Sequence, residues 1–283
     1  MMPSHIKPFD NKNVPIVGID DDLVPRTYFN VVRLQDGEEF VSDVPGYETV
    51  CVPMEGTCDI AIGENVYVGV GKREQLFDDK PDGVYVPSGS SAVITGRDKG
   101  VNLCIAGGRT EVRLEPFRVT QGEVEKVQYG SDDTKTHRKI YHILGPAQAG
   151  KTDRLLVSEL FTVGAGGWSG FPPHKHDEDQ DGETAFEEVY YFRFDPPQGF
   201  GAQFTYVHED DFGPVHHIKD GSTIVLDKGY HPVVAAPGYR MYYFTILVGK
   251  STRTLVQNFE EKHAYQLETI PGIGDMIKKF KDS

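Results

Sequence analysis

Apolar residues along this chain recur in short runs, several of them alternating with polar positions, and Gly, Pro, Asp and Asn break them at roughly 8–12-residue intervals. Residues 49–52, 58–62, 84–86, 92–94 and 101–105 form a first set of predicted strands. Residues 155–157, 160–163, 189–192, 204–207, 222–226 and 242–248 form a second. Their β-branched and aromatic content suits a pleated, half-buried surface. Stretches at helical period are scarce. The best helix is the tail, where the Gly-rich segment 270–274 gives way to Asp275-Met276-Ile277-Lys278-Lys279-Phe280. Gly274 is disfavoured inside a helix, so the helix is expected to start at Asp275 as N-cap and run to about Lys281, with its lysines near the C-terminal end. The fold class is therefore all-β, a sandwich or barrel architecture with few short helices.

The two sets of strands resemble each other. Glu48-Thr49-Val50-Cys51-Val52 matches Glu188-Val189-Tyr190-Tyr191-Phe192 as an acid followed by a strand, and residues 83–92 match residues 222–231 as strand, Gly turn and returning strand. A repeat of this size predicts two tandem antiparallel barrels, residues 1–130 and 131–283, joined within the polar stretch 122–139.

Charge narrows the partners. With 43 acidic against 29 basic side chains the net charge is −14, which argues against a nucleic-acid backbone as ligand. No apolar run approaches the roughly 18 residues needed to span a bilayer, and the first residues lack the apolar core of a signal peptide. The expectation is a soluble, unexported, cytoplasmic protein without a membrane partner. Cys51, Cys58 and Cys104 form no CxxC pair and leave an odd thiol, so they are read as reduced, buried thiols.

Histidine carries the chemistry. None lies between His5 and His137, and chance alone gives about a third of a His-x-His pair in this composition, so His174-Lys175-His176 rests on its setting. Residues two apart on a strand share a face, and the preceding Gly- and Pro-rich segment 166–173 disfavours a helix. Two further ligands must come from other strands. Glu188 opens the next strong strand, and His231 follows the Lys228-Gly229 turn, restrained by Pro232. Three imidazoles and one carboxylate suit one divalent ion, Zn²⁺ first, with Mn²⁺, Fe²⁺ and Ni²⁺ as alternatives, and leave positions open for substrate oxygens.

Residues 177–188 also fit the calcium-loop pattern D-x-D-x-D-G-x5-E. The flanks are wrong for it, with Pro and Gly before and a β-branched, aromatic run after, so the segment is read as an acidic turn or a surface cation site. His216 and His217 are adjacent and face opposite ways on a strand. No chemistry is assigned to His137 or His142. Trp168 is left open between a sugar-pocket wall and the core.

The segment Gly167-Trp168-Ser169-Gly170-Phe171-Pro172-Pro173-His174-Lys175-His176-Asp177, followed by Glu187 to Phe200 and by Gly229-Tyr230-His231-Pro232 through Tyr243, resembles the 5-deoxy-glucuronate isomerases of myo-inositol catabolism. The resemblance is specific over about residues 135–265. It implies a bicupin whose first barrel is without metal ligands and whose second holds the ion on His174, His176, Glu188 and His231; Glu188 is preferred to Glu187 because the family's acid directly precedes Val-Tyr. The implied reaction converts 5-deoxy-D-glucuronate, a small deoxyuronate, to 5-dehydro-2-deoxy-D-gluconate. Glu187 and Tyr191 are the candidates for proton transfer. Lys175, Arg193 and Arg240, with Arg154, are the cations available to the substrate carboxylate. Alternatives are the pectin-pathway 5-keto-4-deoxyuronate ketol-isomerase, an Fe²⁺ cupin dioxygenase and a non-catalytic sugar-binding cupin. A homo-oligomer through an exposed sheet edge is left open.

Overall fold

Many of the predicted strands are buried on both faces, and this sets the architecture. In Arg240–Gly249 every position from Met241 onward is buried, and in Tyr47–Ile62 the whole first half is. A strand with two apolar faces must lie between two cores. The computed structural model, which describes residues 4–179, 183–209 and 211–281, shows those cores.

The N-terminal half is a seven-stranded antiparallel sheet. Thr27–Leu34, Ala92–Arg109, Tyr47–Ile62, Gly83–Val86 and Phe117–Val119 lie side by side, with Glu39–Ser42 and Asn65–Arg73 pairing along the two longest strands. It curls around its own core, which includes Tyr28, Val32, Cys58, Ile60, Ile94 and Leu103. A second seven-stranded sheet runs in the order Ser4–Ile6, Thr223–Leu226, Phe186–Asp195, Arg240–Gly249, Leu155–Thr162, Arg138–Leu144 and Glu125–Tyr129, so five strands of the C-terminal half are edged by two from the stretch 1–130. A four-stranded sheet of Gly167–Ser169, Val233–Ala235, Phe200–Phe204 and Val215–Lys219 faces it across a second core that includes Tyr190, Phe192, Ile224, Met241 and Tyr243. The outer faces of the two large sheets meet in a third core, where Phe29 packs 5.4 Å from Tyr191 and Phe77 and Phe161 flank Tyr242.

The all-β expectation holds, with several adjustments. The predicted strands 49–52 and 58–62 are one strand, Tyr47–Ile62, and 92–94 and 101–105 are one strand, Ala92–Arg109. Gly56 and Gly100 carry positive φ and approach so closely that a Cβ on Gly56 would lie 2.0 Å from the Gly100 carbonyl, so the pair bends without breaking. Residues 155–157 and 160–163 likewise merge into Leu155–Thr162. The predicted strand 204–207 ends at Phe204. The tail helix runs Ile273–Lys281 and includes Gly274, because Ile273 and Met276 are buried against Tyr129 and Ile140; that burial outweighs the roughly 1 kcal/mol cost of a helical Gly. A 3-10 segment, Glu261–Glu268, precedes it. Among the described residues no helix is long and apolar enough to cross a membrane. All three cysteines are free and buried, and burial pushes the Cys51 thiol up to about 12.

The register shows how the halves correspond. Gly108 pairs with Thr27 and Glu48; Val248 pairs with Leu155 and Glu187. Glu48 therefore corresponds to Glu187 rather than to Glu188, one residue away from the alignment that sequence suggested. A one-residue slip exchanges the faces of a strand. The two glutamates do the same work in opposite directions. Glu48 accepts from the backbone N–H groups of Asp153, Arg154 and Leu155 at 3.0, 2.6 and 2.9 Å. Glu187 accepts from the Arg26 N–H, the Thr27 hydroxyl and the Arg26 guanidinium at 2.9, 2.9 and 2.8 Å. Each half thus caps the opening of the other half's strand.

Candidate metal centre

The register also decides what faces the second core. Glu188, opposite Leu226 and Leu247, points away from the inter-sheet face that Glu187 occupies, toward the interior. His174 and Lys175 form a short strand against Asn258–Phe259, and the alternation turns His174 and His176 inward and Lys175 outward. His231 arrives from the turn at Gly229, whose φ is +90°.

One ligand nitrogen from each of His174, His176 and His231 lies within 4.8 Å of the others. Glu188 Oε2 is 3.0 Å from His176 Nε2 and 3.2 Å from His231 Nε2. Such separations are those of ligands around one ion with bonds of about 2.0–2.2 Å. Two of the three outer nitrogens are already committed: His174 Nδ1 donates to the Pro172 carbonyl at 3.2 Å and His231 Nδ1 to the Gly229 carbonyl at 2.7 Å, while His176 Nδ1 is buried without a partner. A carbonyl only accepts, so both rings carry their proton on Nδ1 and turn an Nε2 lone pair inward. His231 Nε2 is buried and finds no hydrogen-bond partner. The residues fit a divalent ion.

The electrostatics agree. Burial, reinforced by His231 and His176, holds His174 well below its ordinary value, and burial also lowers His231. Burial lowers His176 as well, but the adjacent Glu188 carboxylate prevails and leaves it raised. Burial alone would raise Glu188; His176 and His231 hold it below the usual carboxylate range. These groups hold one another's charge in the absence of solvent, as a cation at their centre would. Replacing Gly229 with alanine would set a Cβ 2.5 Å from the Tyr206 carbonyl and shift the carbonyl that orients His231. Metal affinity is expected to fall about 10- to 100-fold in a chelator competition titration.

The cluster opens on a cavity lined by Arg138, Tyr190, Tyr243, His142 and Gln257, with Leu255, Phe259, Ile273 and Met276 supplied by the C-terminal segment. The Tyr190 phenol lies close enough to Glu188 for the carboxylate to help keep it neutral, and Tyr243 and Ser169 share a hydrogen bond of 2.6 Å.

The profile of the KduI/IolB family matches residues 4–266. The chain belongs to that family. A curated relative from Shouchella clausii, named 5-deoxy-glucuronate isomerase, is 32% identical over 224 residues, covering 78% of this chain and 80% of its own. Among solved structures, an IolB-like protein from Salmonella typhimurium LT2 superposes with a TM-score of 0.84 at 27% identity, covering 94% of this chain and 98% of the other. Bacillus subtilis oxalate decarboxylase, described with Mn(II) centres, shares the fold with a TM-score of 0.63 at 11% identity over 100% of this chain and 86% of its own. The fold is of the cupin type, and the chain is an isomerase of the KduI/IolB family.

Against this KduI/IolB site, the four expected ligands converge and the other expected residues do not. Glu187 is held at the inter-sheet capping position. Tyr191, three residues from Glu188, shares the Glu187 face and packs on Phe29. Lys175 points outward, pairs with Glu178 and lies 3.7 Å from Asp177. Arg193 is paired with Asp220 at 2.9 Å. Arg240 bridges Asp195 and Asp78 over the Phe77 ring. Arg154 is bound to Asp153 and the Lys250 carbonyl. None of these lines the cavity. Trp168 stacks on Phe204 and packs at a tilt against Phe171, which lines the cavity, but does not line it itself. The acidic segment after His176 leads from one strand into another, not between helices; Asp179 caps the Ala185 N–H and pairs with Lys250, while residues 180–182 lie outside the described residues.

Sequence reasoning missed Arg138, Tyr190, Tyr243, His142 and Gln257. A signal existed for three of them. Tyr190 is two residues beyond Glu188 and so shares its face, whereas Tyr191 cannot; Arg138 and His142 alternate with Ile140 along one face of Arg138–Leu144. A functional role for Glu187 would predict loss of activity in Glu187→Ala. The capping role instead predicts a protein less stable by about 1–3 kcal/mol in denaturant titration, with metal content and turnover retained.

Proposed function

We propose that the protein isomerises 5-deoxy-D-glucuronate to 5-dehydro-2-deoxy-D-gluconate, with one divalent ion, zinc first among the candidates, held by His174, His176, Glu188 and His231. The observation that carries this reading is the buried three-histidine and carboxylate cluster opening on a largely apolar cavity that also holds Arg138 and His142, in a chain of an isomerase family. The name of the Shouchella clausii relative supplies the substrate.

The conversion moves one proton from C2 to C1 and one from the O2 hydroxyl toward O1, with no change in composition. When bound, the ion supplies Lewis acidity toward neighbouring carbonyl and hydroxyl oxygens, which lowers the cost of charge on them. The chain's own residues do the rest. The Pro172 and Gly229 carbonyls orient His174 and His231 with their Nε2 atoms inward, and His176 is held through its contact with Glu188 at 3.0 Å. Burial pushes the Tyr190 and Tyr243 phenols far above their ordinary range, so both stay neutral in the wall of the cavity. His142, anchored to the Ser158 hydroxyl at 2.8 Å, is the imidazole in the lining outside the ligand set and the group suited to take up a carbon-bound proton. Leu255, Phe259, Ile273 and Met276 screen the cavity from water.

A proton NMR time course with 5-deoxy-D-glucuronate, run beside an oxygen electrode, tests the reading. The expected result is conversion of the aldose to the ketose without oxygen uptake. An unchanged aldose with metal demonstrably bound would overturn it, and oxygen uptake would point to a dioxygenase.

A further inference from the structure

Arg138 stands out among the buried cations. Its residue is 4% exposed, yet its partners are all neutral: the Ser169 hydroxyl at 3.0 Å, the Tyr129 hydroxyl, and the Phe171 carbonyl at 3.2 Å. Among the described residues no carboxylate pairs with it. Arg73 is equally buried and has Glu159 on both terminal guanidinium nitrogens, while Arg193 has Asp220. Of the five guanidinium N–H groups, three are engaged, and the Nε is buried without any partner. An isolated charge out of water costs several kcal/mol unless a counter-charge or further hydrogen bonds offset it. Arg138 borders the same cavity as His174, His176 and Glu188.

We infer that Arg138 is the receptor for the carboxylate of a sugar-acid substrate, and so the residue that restricts the site to uronic acids. The inference rests on the isomerase reading only for what happens at the other end of the substrate. One short segment organises both ends. Ser169 and the Phe171 carbonyl steady the guanidinium, and five residues after Ser169 the same stretch supplies His174 and then His176 to the metal centre. The distance between cation and ion is thereby fixed, which selects for length as well as charge. Tyr243 donates to or accepts from Ser169 and extends the same network along the wall. A planar guanidinium with unused N–H groups matches a carboxylate in charge and geometry, whereas a neutral hydroxymethyl or ester leaves the buried charge unanswered.

The test is a binding comparison rather than an assay of turnover. D-glucuronate and its neutral methyl ester are titrated calorimetrically into the metal-loaded full-length protein, the R138M variant and the R138K variant, with metal content and Tm measured for each. The wild type is expected to bind the acid about 10- to 100-fold more tightly than the ester. R138M is expected to lose that preference with its metal content intact, and R138K to keep part of it. A purely structural Arg138 would instead weaken acid and ester equally. No preference in the wild type, or a preference that survives in R138M, would overturn the inference. Should R138M fail to fold, the wild-type preference and its reduction in R138K decide the matter. Absence of 5-deoxy-D-glucuronate turnover alongside an intact acid preference would reject the proposed reaction and leave the carboxylate receptor standing.

Discussion

Replacing His176 with alanine is expected to lower kcat/KM for the deoxyuronate by about 10³-fold or more, equivalent to about 4 kcal/mol of transition-state stabilisation, in a protein that remains folded. The ring is buried, sits 3.0 Å from Glu188 and packs edge-on to Phe186, with His231 5.0 Å away centroid to centroid. Removing it deletes one ligand and leaves Glu188 with less positive charge around it, so the ion loses affinity twice over. Glu188→Gln keeps the shape, removes the charge, and is expected to be as damaging. Metal content measured beside kinetics checks the cause: both variants should retain far less ion than the wild type. Glu187→Gln, one residue away on the opposite face, should retain ion and turnover. If His176→Ala bound a full complement of metal and turned over normally, the ligand assignment would be wrong.

The largest effect on stability is expected elsewhere, at the Arg73–Glu159 pair. Arg73 closes the Asn65–Arg73 strand of the N-terminal half, and Glu159 lies in Leu155–Thr162 of the other. Both side chains are fully buried, joined by two hydrogen bonds of 2.7 and 2.8 Å, and Tyr242 donates to Glu159 at 3.1 Å. Burial by itself would lower Arg73; Glu159 overrides it and holds the guanidinium raised. Glu159→Leu strands that cation in the core between the sheets and is expected to cost about 3–5 kcal/mol, whereas the double variant Arg73→Met/Glu159→Leu should recover most of the loss. Denaturant titration of the wild type, both single variants and the double closes the cycle. A single variant within about 1 kcal/mol of wild type would show that the two halves do not depend on this pair.

The readable part of the sequence was the part governed by local rules. Alternation and turn residues give the strand class, and the i, i+2 spacing of His174 and His176 gives a shared face. The Gly turn before His231 could be seen because a left-handed position calls for glycine. What escaped depended on partners distant in sequence. Residues 49–52 and 58–62 read as two strands because Gly56 resembles a turn; only its approach to Gly100 shows that the strand bends and continues. Glu187 looked catalytic because it adjoins Glu188, and its capping role depends on Arg26 and Thr27, 161 and 160 residues away. Lys175, Arg193 and Arg240 are the cations near the motif in sequence, but each is matched to an acid on its own surface or interface. Arg138 was overlooked because its meaning lies in the counter-charge it lacks, which no spacing reveals.

The central claim is that this cluster holds the ion on which isomerisation depends. The most direct measurement is elemental analysis of the purified protein paired with the rate of ketose formation, before chelation, after chelation, and after stepwise return of a divalent ion. The account predicts about one ion per chain at full activity, loss of turnover as the ion is withdrawn, and recovery in proportion to the ion restored. Undiminished turnover by protein shown to be metal-free would contradict it.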